Sequence, residues 1–132
     1  SVVGPEVFEK TGLTPADMDM VHLYDDFHIA TMIQLEQMGF CGRGEGSKFI
    51  LETDISPTGT LPINTGGGQI SSGQPGLAGG GVQLTEAVRQ LMGDGGERQV
   101  PGAANALVTG IGAVNYVRNW AVSVALILEA GQ

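Results

Sequence analysis

Twenty-two of the 132 residues are glycine, and they gather at 42–46, 66–68, 73–81, 93–96 and 110–112 rather than at a fixed interval. The missing period excludes collagen and tandem-repeat architectures. Glycine loses more backbone freedom on folding than any other residue. Clusters between apolar segments therefore mark tight turns, or places where the backbone comes close to something else. The chain must be built from short elements joined by glycine loops.

A chain of 132 residues has the size of one domain and can bury a core, and we read residues 1–132 as that single domain. Hydrophobic residues make up 42% and charged residues 15%, too apolar for a disordered chain. So few charges predict that much of the surface is covered by a partner domain or another subunit, because interface cores are depleted in charge. The net charge is -8, from six Lys and Arg against fourteen Asp and Glu. That excludes nucleic acid, whose phosphates need a basic stripe. Any anionic ligand has to be held by backbone N–H groups or by another chain. The apolar run 121–128 is too short to span a bilayer, and no signal-peptide pattern opens the sequence. The single cysteine, Cys41, allows no internal disulfide and fits a reducing, cytoplasmic location.

The pattern predicts a short helix over 5–10, stopped by Gly12, and a helix start at Thr14, Pro15, Ala16 and Asp17. Residues 20–24 read as a buried strand. Asp25 and Asp26 are placed to cap a helix over 27–38, which is apolar on several sides and expected to be buried. A further strand is expected near 49–51. Beyond the glycine loop 64–81, Leu84, Ala87, Val88, Leu91 and Met92 recur at helical spacing, with Glu86 and Arg89 on the outer side. Residues 106–109 and 121–128 read as an antiparallel strand pair joined by the link 110–119. The result is an α/β domain with a mixed sheet and helices packed on it.

Three loops fall at strand ends or helix starts, where α/β folds place their pockets. They are Tyr24-Asp25-Asp26-Phe27, residues 64–76, and Gly110-Ile111-Gly112. Their order and spacing resemble the C-terminal half of thiolases, specifically the sterol-carrier or lipid-transfer type. The first aligns with that family's Asn-Glu-Ala-Phe or His-Asp-Cys-Phe motif. Asn64 with Gly66, Gly67 and Gly68, then Gly73-Gln74-Pro75, align with Asn-x-x-Gly-Gly and Gly-His-Pro. Gly110-Ile111-Gly112 aligns with Cys-x-Gly. The segments Gly39-Phe40-Cys41 and Gly44-Glu45-Gly46 also resemble a loop of the lipid-transfer subgroup.

The resemblance implies a thiolase-like C-terminal domain with a mixed five-stranded sheet. It implies an acyl-CoA C-acyltransferase or C–C lyase acting on coenzyme A thioesters as substrates, with no other cofactor and no metal. An N-terminal half, in the same parent chain or another, would supply the nucleophile. The assembly would be a homodimer or tetramer, in some relatives with a small OB-fold, zinc-ribbon accessory protein. Tyr24 and Gln74 take the catalytic positions, and Asn64, Ser72, Gly73, Gly110 and Gly112 take substrate-binding ones. The departures from the family pattern restrict the chemistry. Gln74 stands where the family has its histidine base; its amide can donate a hydrogen bond but cannot take a thiol proton. Gly110 stands where the family has its second cysteine. Tyr24 replaces the Asn or His of the oxyanion hole and fits the tyrosines that thiolase-like steroid-CoA aldolases use in retro-aldol cleavage. The second loop tyrosine of those aldolases is absent, with Tyr116 a substitute of unknown position. The alternative is a non-catalytic acyl-CoA- or sterol-binding or scaffolding subunit.

Plainer readings stand beside these. Tyr24 reads equally as a packed aromatic, Asp25 and Asp26 as helix caps, His22 and His28 as structural histidines, and Gln74 as a loop hydrogen-bonder. Cys41 has no evident activating base. The stretch 115–119 reads equally as a surface turn or a contact. No dinucleotide or Gly-Lys-Ser/Thr phosphate loop is present.

Overall fold

The computed structural model describes residues 3–114 and 120–131; Tyr116 and the rest of 115–119 lie outside the described residues. Helix α1 (Val3–Thr11) ends at Gly12 and is followed by a single 3-10 turn at Pro15–Asp17. Thr14 and Asp17 close a capping box there, with both the Thr14 N–H and hydroxyl donating to the Asp17 carboxylate. Strand β1 (Met20–His22) leads into α2 (His28–Met38), which stops at Gly39 in the left-handed conformation. Two short helices follow, α3 (Gly46–Glu52) and α4 (Gly68–Ser72), then α5 (Gly80–Leu91) and the hairpin β2 (Asn105–Val114) and β3 (Trp120–Glu129).

The sheet order is β1-β2-β3. β1 runs parallel to β2, with His22 level with Val108, and β2 is antiparallel to β3. The sheet is mixed, as expected, but has three strands among the described residues rather than five. Ile63 makes one parallel bridge to Val21 on the open side of β1. It goes no further, because Asn64 has φ 48° and the chain turns away into Gly66–Gly68. The strand expected near 49–51 is helix α3. A strand would put Phe49 and Leu51 on one face, whereas Phe49 and Ile50 pack on the core and Leu51 is 86% exposed.

Alternation along the strands divides the core in two. Val21, Leu23 and Leu107 pack with Phe8, Leu35 and Met38 from α1 and α2. Met20, Ala106 and Val108 pack with Ala87 of α5 and with Val100. The helices depart from expectation in which faces they bury. α2 buries Ala30, Gln34, Leu35 and Met38 but leaves Phe27 and Ile29 well exposed. α5 buries Gln83, Glu86, Ala87 and Gln90, while Leu84, Val88 and Met92 face outward. Its apolar stripe is therefore split: Ala87 and Leu91 pack on the core, whereas Leu84, Val88 and Met92 form an outer strip, because Gln83, Glu86 and Gln90 take inner positions and hydrogen-bond inside the domain. No helix among the described residues is long and apolar enough to cross a membrane.

Helix α1 crosses α2 at Gly4, where an added Cβ would strike the Gln37 carbonyl oxygen. A Gly4→Ala substitution is expected to destabilise the domain by about 1–3 kcal/mol through overpacking, read as a lower urea midpoint at unchanged m-value.

Candidate active site

Parallel pairing brings the end of β1 level with the middle of β2, so Tyr24 and Gly110 lie at the same height of the sheet. Side-chain hydrogen bonds hold them there. The Tyr24 N–H donates to Thr109 Oγ1 (3.1 Å), and the Tyr24 carbonyl accepts from Gln34 Nε2 (2.7 Å). The Thr109 hydroxyl closes the triangle by donating to Gln34 Oε1 (2.6 Å). All three residues carry buried polar groups that are satisfied by one another, which fixes the backbone before Gly110 against the backbone of Tyr24.

The Asn64 loop docks on the same strand end. Asn64 Oδ1 accepts from the Leu23 N–H (2.7 Å) and its Nδ2 donates to the Leu23 carbonyl (3.0 Å), continuing the sheet with a side chain. The buried Asp25 carboxylate accepts from the N–H groups of Gln69 (2.8 Å) and Ile70 (3.4 Å) at the start of α4, and from Gln83 Nε2 of α5 (2.7 Å). Asp25 therefore caps α4 rather than α2, whose own first residue has no side-chain cap. Gly68 makes this approach possible: φ is +62°, and an added Cβ would overlap the Asp25 carboxylate. Asp26 accepts from Gln74 Nε2, and the Ser72 hydroxyl donates to the Gly66 carbonyl (2.7 Å). Gly73 continues the loop at φ +102°.

Two of the stretches singled out in the sequence, Tyr24 to Phe27 and the Asn64 loop, thus meet at the end of β1. Asn64 and Ser72 have their polar atoms engaged by backbone, and Gln74, exposed, is tied to Asp26. Gly110 and Gly112 lie within β2, not at a strand end, opposite Val124 and Val122. The strand continues through them because each takes an extended conformation. A Cβ on Gly110 would meet Val124 Cγ1 at 3.6 Å, an ordinary contact, so packing does not demand a glycine there. Gln34, Thr109, Gln83 and Asp25's role as an anchor were not legible in the sequence. Their only signal is a glutamine or threonine at a core-facing position of an apolar element.

A cleft of about 470 Å³ runs from Gly66, Ser72 and Pro75 along α5 to Glu86, Arg89 and Arg98. A more apolar cleft of about 330 Å³ lies between α2, α3 and α4, lined by Met32, Ile50, Ile63 and Ile70 with Asp25, His28 and Asn64. Glu86 is buried, which by itself raises a carboxyl pKa. Hydrogen bonds from Gln90 and Thr65, with Arg98 at 3.4 Å, outweigh burial and hold it below the usual range. His22 is a core histidine. Burial pushes its pKa down to about 4, against a smaller upward pull from Glu86. Cys41 is half-buried; burial, then Glu36 and Glu45, raise its thiol pKa, so it is not a thiolate at neutral pH.

The thiolase C-terminal domain-like family model matches residues 1–128. The chain belongs to that family. It is 44% identical, over 82% of its length, to 17-hydroxy-3-oxo-4-pregnene-20-carboxyl-CoA lyase of Mycobacterium tuberculosis, and spans 27% of that protein. It is 42% identical, over 80% of its length, to sterol carrier protein 2 of Bos taurus, and spans 19% of it. Among solved structures, the Ltp2-ChsH2(DUF35) aldolase superposes with a TM-score of 0.81 at 35% identity, covering 98% of this chain and 31% of that one. The chain is thus a fraction of the length of these relatives and is of the thiolase-like, lipid-transfer type.

The histidine in the core makes a pH test possible. Unfolded, His22 takes up a proton as pH falls below 6.5; folded, it does so only near 4. Its contribution is therefore complete above pH 6.5 and is lost as pH falls towards 4, to a total of roughly 3 kcal/mol. Urea midpoints measured from pH 7.5 to 4.5 should fall across that window, and the fall should be much shallower in His22→Leu.

Proposed function

We propose that this domain is the C-terminal half of a thiolase-like C–C lyase or acyltransferase acting on acyl-CoA thioesters, with Tyr24 as the group that exchanges a proton with the substrate. The observation that carries this is the meeting of the Asn64 loop and the middle of β2 around the Tyr24 segment, with no base at position 74 and no side chain at 110. An ordinary thiolase cycle needs a histidine to activate one cysteine and a second cysteine to move the α-proton. Gln74, held by Asp26, does neither. A phenol can act as general acid, general base or oxyanion donor, so the chemistry falls to Tyr24. In the lyase direction it would accept the proton of a 3-hydroxyl as the bond between the α and β carbons breaks, leaving a carbonyl product and a thioester enolate. Relatives named a lyase and a steroid side-chain-cleaving aldolase, the latter from Thermomonospora curvata at 38% identity, support this direction.

The site is completed by an N-terminal half, in the same parent chain or another. Leu84, Val88 and Met92 on α5 face outward, and Val122, Val124 and Leu126 of β3 share the α5 side of the sheet and are left exposed. Exposed apolar side chains on the outside of one helix and on a bare sheet face support an interface rather than a solvated surface. Further assembly as a dimer or tetramer, and an accessory subunit of the OB-fold, zinc-ribbon kind, belong to the same proposal; the name of the solved relative joins two components. The loss of the family's histidine and cysteine positions favours a second reading, an acyl-CoA- or sterol-binding subunit without turnover.

Two experiments on the full-length parent protein test these statements. Tyr24→Phe should lower kcat for cleavage of a 3-hydroxyacyl-CoA by at least about 100-fold; unchanged turnover removes Tyr24 from the mechanism. An unmodified protein that binds acyl-CoA and turns over nothing establishes the binding role instead. Val88→Asp should lower the stability of the full-length protein by about 2 kcal/mol or more while leaving that of residues 1–132 alone nearly unchanged. Equal effects in both would place Val88 on a surface that no partner half covers.

A further inference from the structure

Four buried side-chain atoms have no hydrogen-bond partner among the described residues: Nε2 of His22, Oε1 of Gln83 and both ends of the Gln69 amide. Folded proteins rarely leave buried polar atoms unpaired, because their lost contacts with water have to be replaced. His22 and Gln83 are each 1% exposed, and they belong together. Both line one cavity, set between β1, the glycines Gly66 and Gly68, and α5, and Glu86 lines it with them.

The hydrogen bonds already made around the cavity define what it can take. The Gln83 amide is fixed in orientation, because its Nε2 donates to the Leu23 carbonyl (3.2 Å) and to the Asp25 carboxylate (2.7 Å). Turned end for end, it would set an oxygen against two acceptors. Its Oε1 therefore needs a donor from elsewhere. His22 is neutral at pH 7, held so by burial, and its Nε2 needs one partner. The Glu86 carboxylate accepts from Thr65 and Gln90 on one oxygen and from Arg98 on the other, which leaves it able to accept one more bond. One small group that both donates and accepts suits all three.

We infer that one water molecule is built into this cavity, bridging His22 Nε2 to Gln83 Oε1 and to the Glu86 carboxylate. The cavity offers about 10 Å³ for the centre of a water to occupy. That is the lower limit of the roughly 10–15 Å³ that admits one water, so a second is excluded. A buried water makes about three hydrogen bonds. Here it accepts from the His22 Nε2–H and donates to Gln83 and Glu86. A metal ion is not the occupant, since no three His, Cys, Asp or Glu side chains among the described residues are grouped to hold one. The water joins the Asp25–Gln83 pair to the group formed by Thr65, Glu86, Gln90 and Arg98. It gives Gln83, the α5 donor to Asp25, a second fixed end, so His22 on β1 helps to place the residue that follows Tyr24.

The test is the electron density of the full-length parent protein, at a resolution that shows ordered waters. A peak is expected within about 2.5–3.2 Å of both His22 Nε2 and Gln83 Oε1. No peak, or a peak that reaches only one of the two atoms, overturns the proposal. So does a direct hydrogen bond between His22 and Gln83. In His22→Leu the peak should be lost while Gln83 keeps its bonds to Leu23 and Asp25; a peak still in its original place means that His22 does not hold it, and the proposal fails. A second measurement needs no variant. Val82 lines the same cavity. With its methyl groups labelled in the full-length protein, NMR should show cross-peaks to water with opposite signs in NOE and ROE spectra, as a bound water gives and a surface water does not. Val82 methyl groups without such cross-peaks also overturn the proposal.

Discussion

The carboxylate of Asp25 accepts hydrogen bonds from two different helices at once, and the geometry of the site follows from that. A buried carboxylate without donors would favour its protonated form or pull water inward. Here the N–H groups that open α4 and the amide of Gln83 on α5 supply what water would have. Because Asp25 follows Tyr24 directly, the same bonds set where the phenol stands relative to the glycine loop. Gly68 is the complementary requirement, since its missing Cβ and positive φ let the loop backbone reach the carboxylate. Neither residue needs to touch substrate to decide what Tyr24 can reach.

The polar interior continues in a second system further along the same face of α5. Thr65, Glu86, Gln90 and Arg98 form a hydrogen-bonded group that joins the Asn64 loop to the chain before β2. Together with the Gln83 bonds, this explains why α5 turns its polar side inward. Gln83 through its Nε2, and Glu86 and Gln90, each have specific partners on that face, so their burial is offset by hydrogen bonding rather than by apolar contact. The apolar stripe Leu84, Val88, Met92 is then free to serve an outer interface.

This division of the apolar residues of α5, Ala87 and Leu91 inward and Leu84, Val88 and Met92 outward, marks the limit of what the sequence discloses. The helical period of α5 was legible from its spacing, but the rule that the apolar stripe faces the domain's own core assumes that the domain is alone. The strands β2 and β3 were legible as continuous apolar runs, although the glycines at 110 and 112 hid the far end of the pair. Extended backbone does not exclude glycine, and the usual reading of glycine as punctuation failed there. Phe49, Ile50 and Leu51 were ambiguous in principle, because three apolar residues fit a strand or one helical turn equally. The five-stranded sheet came from family resemblance, and Ile63 is where the described chain comes nearest to a further strand. The site loops were legible as motifs; their anchors were not. Gln34, Gln69 and Gln83 belong to a residue type that is mostly exposed, and nothing local distinguishes a buried glutamine from a surface one.

Those glutamines also bear on how the loop frame stands with an amide at 74 and no side chain at 110. Asn64 extends the edge of β1 through its amide, and Thr109 locks Tyr24 through Gln34; both depend on groups that take no part in acid–base chemistry. The identity of the side chains at 74 and 110 is therefore not what keeps the loop positions standing. A side chain at 110 would make only an ordinary contact with Val124, so a glycine there removes no support from the strand pair. A frame held by amides, hydroxyls and one buried carboxylate can carry different reacting groups. In this chain the group it presents at the end of β1 is a phenol.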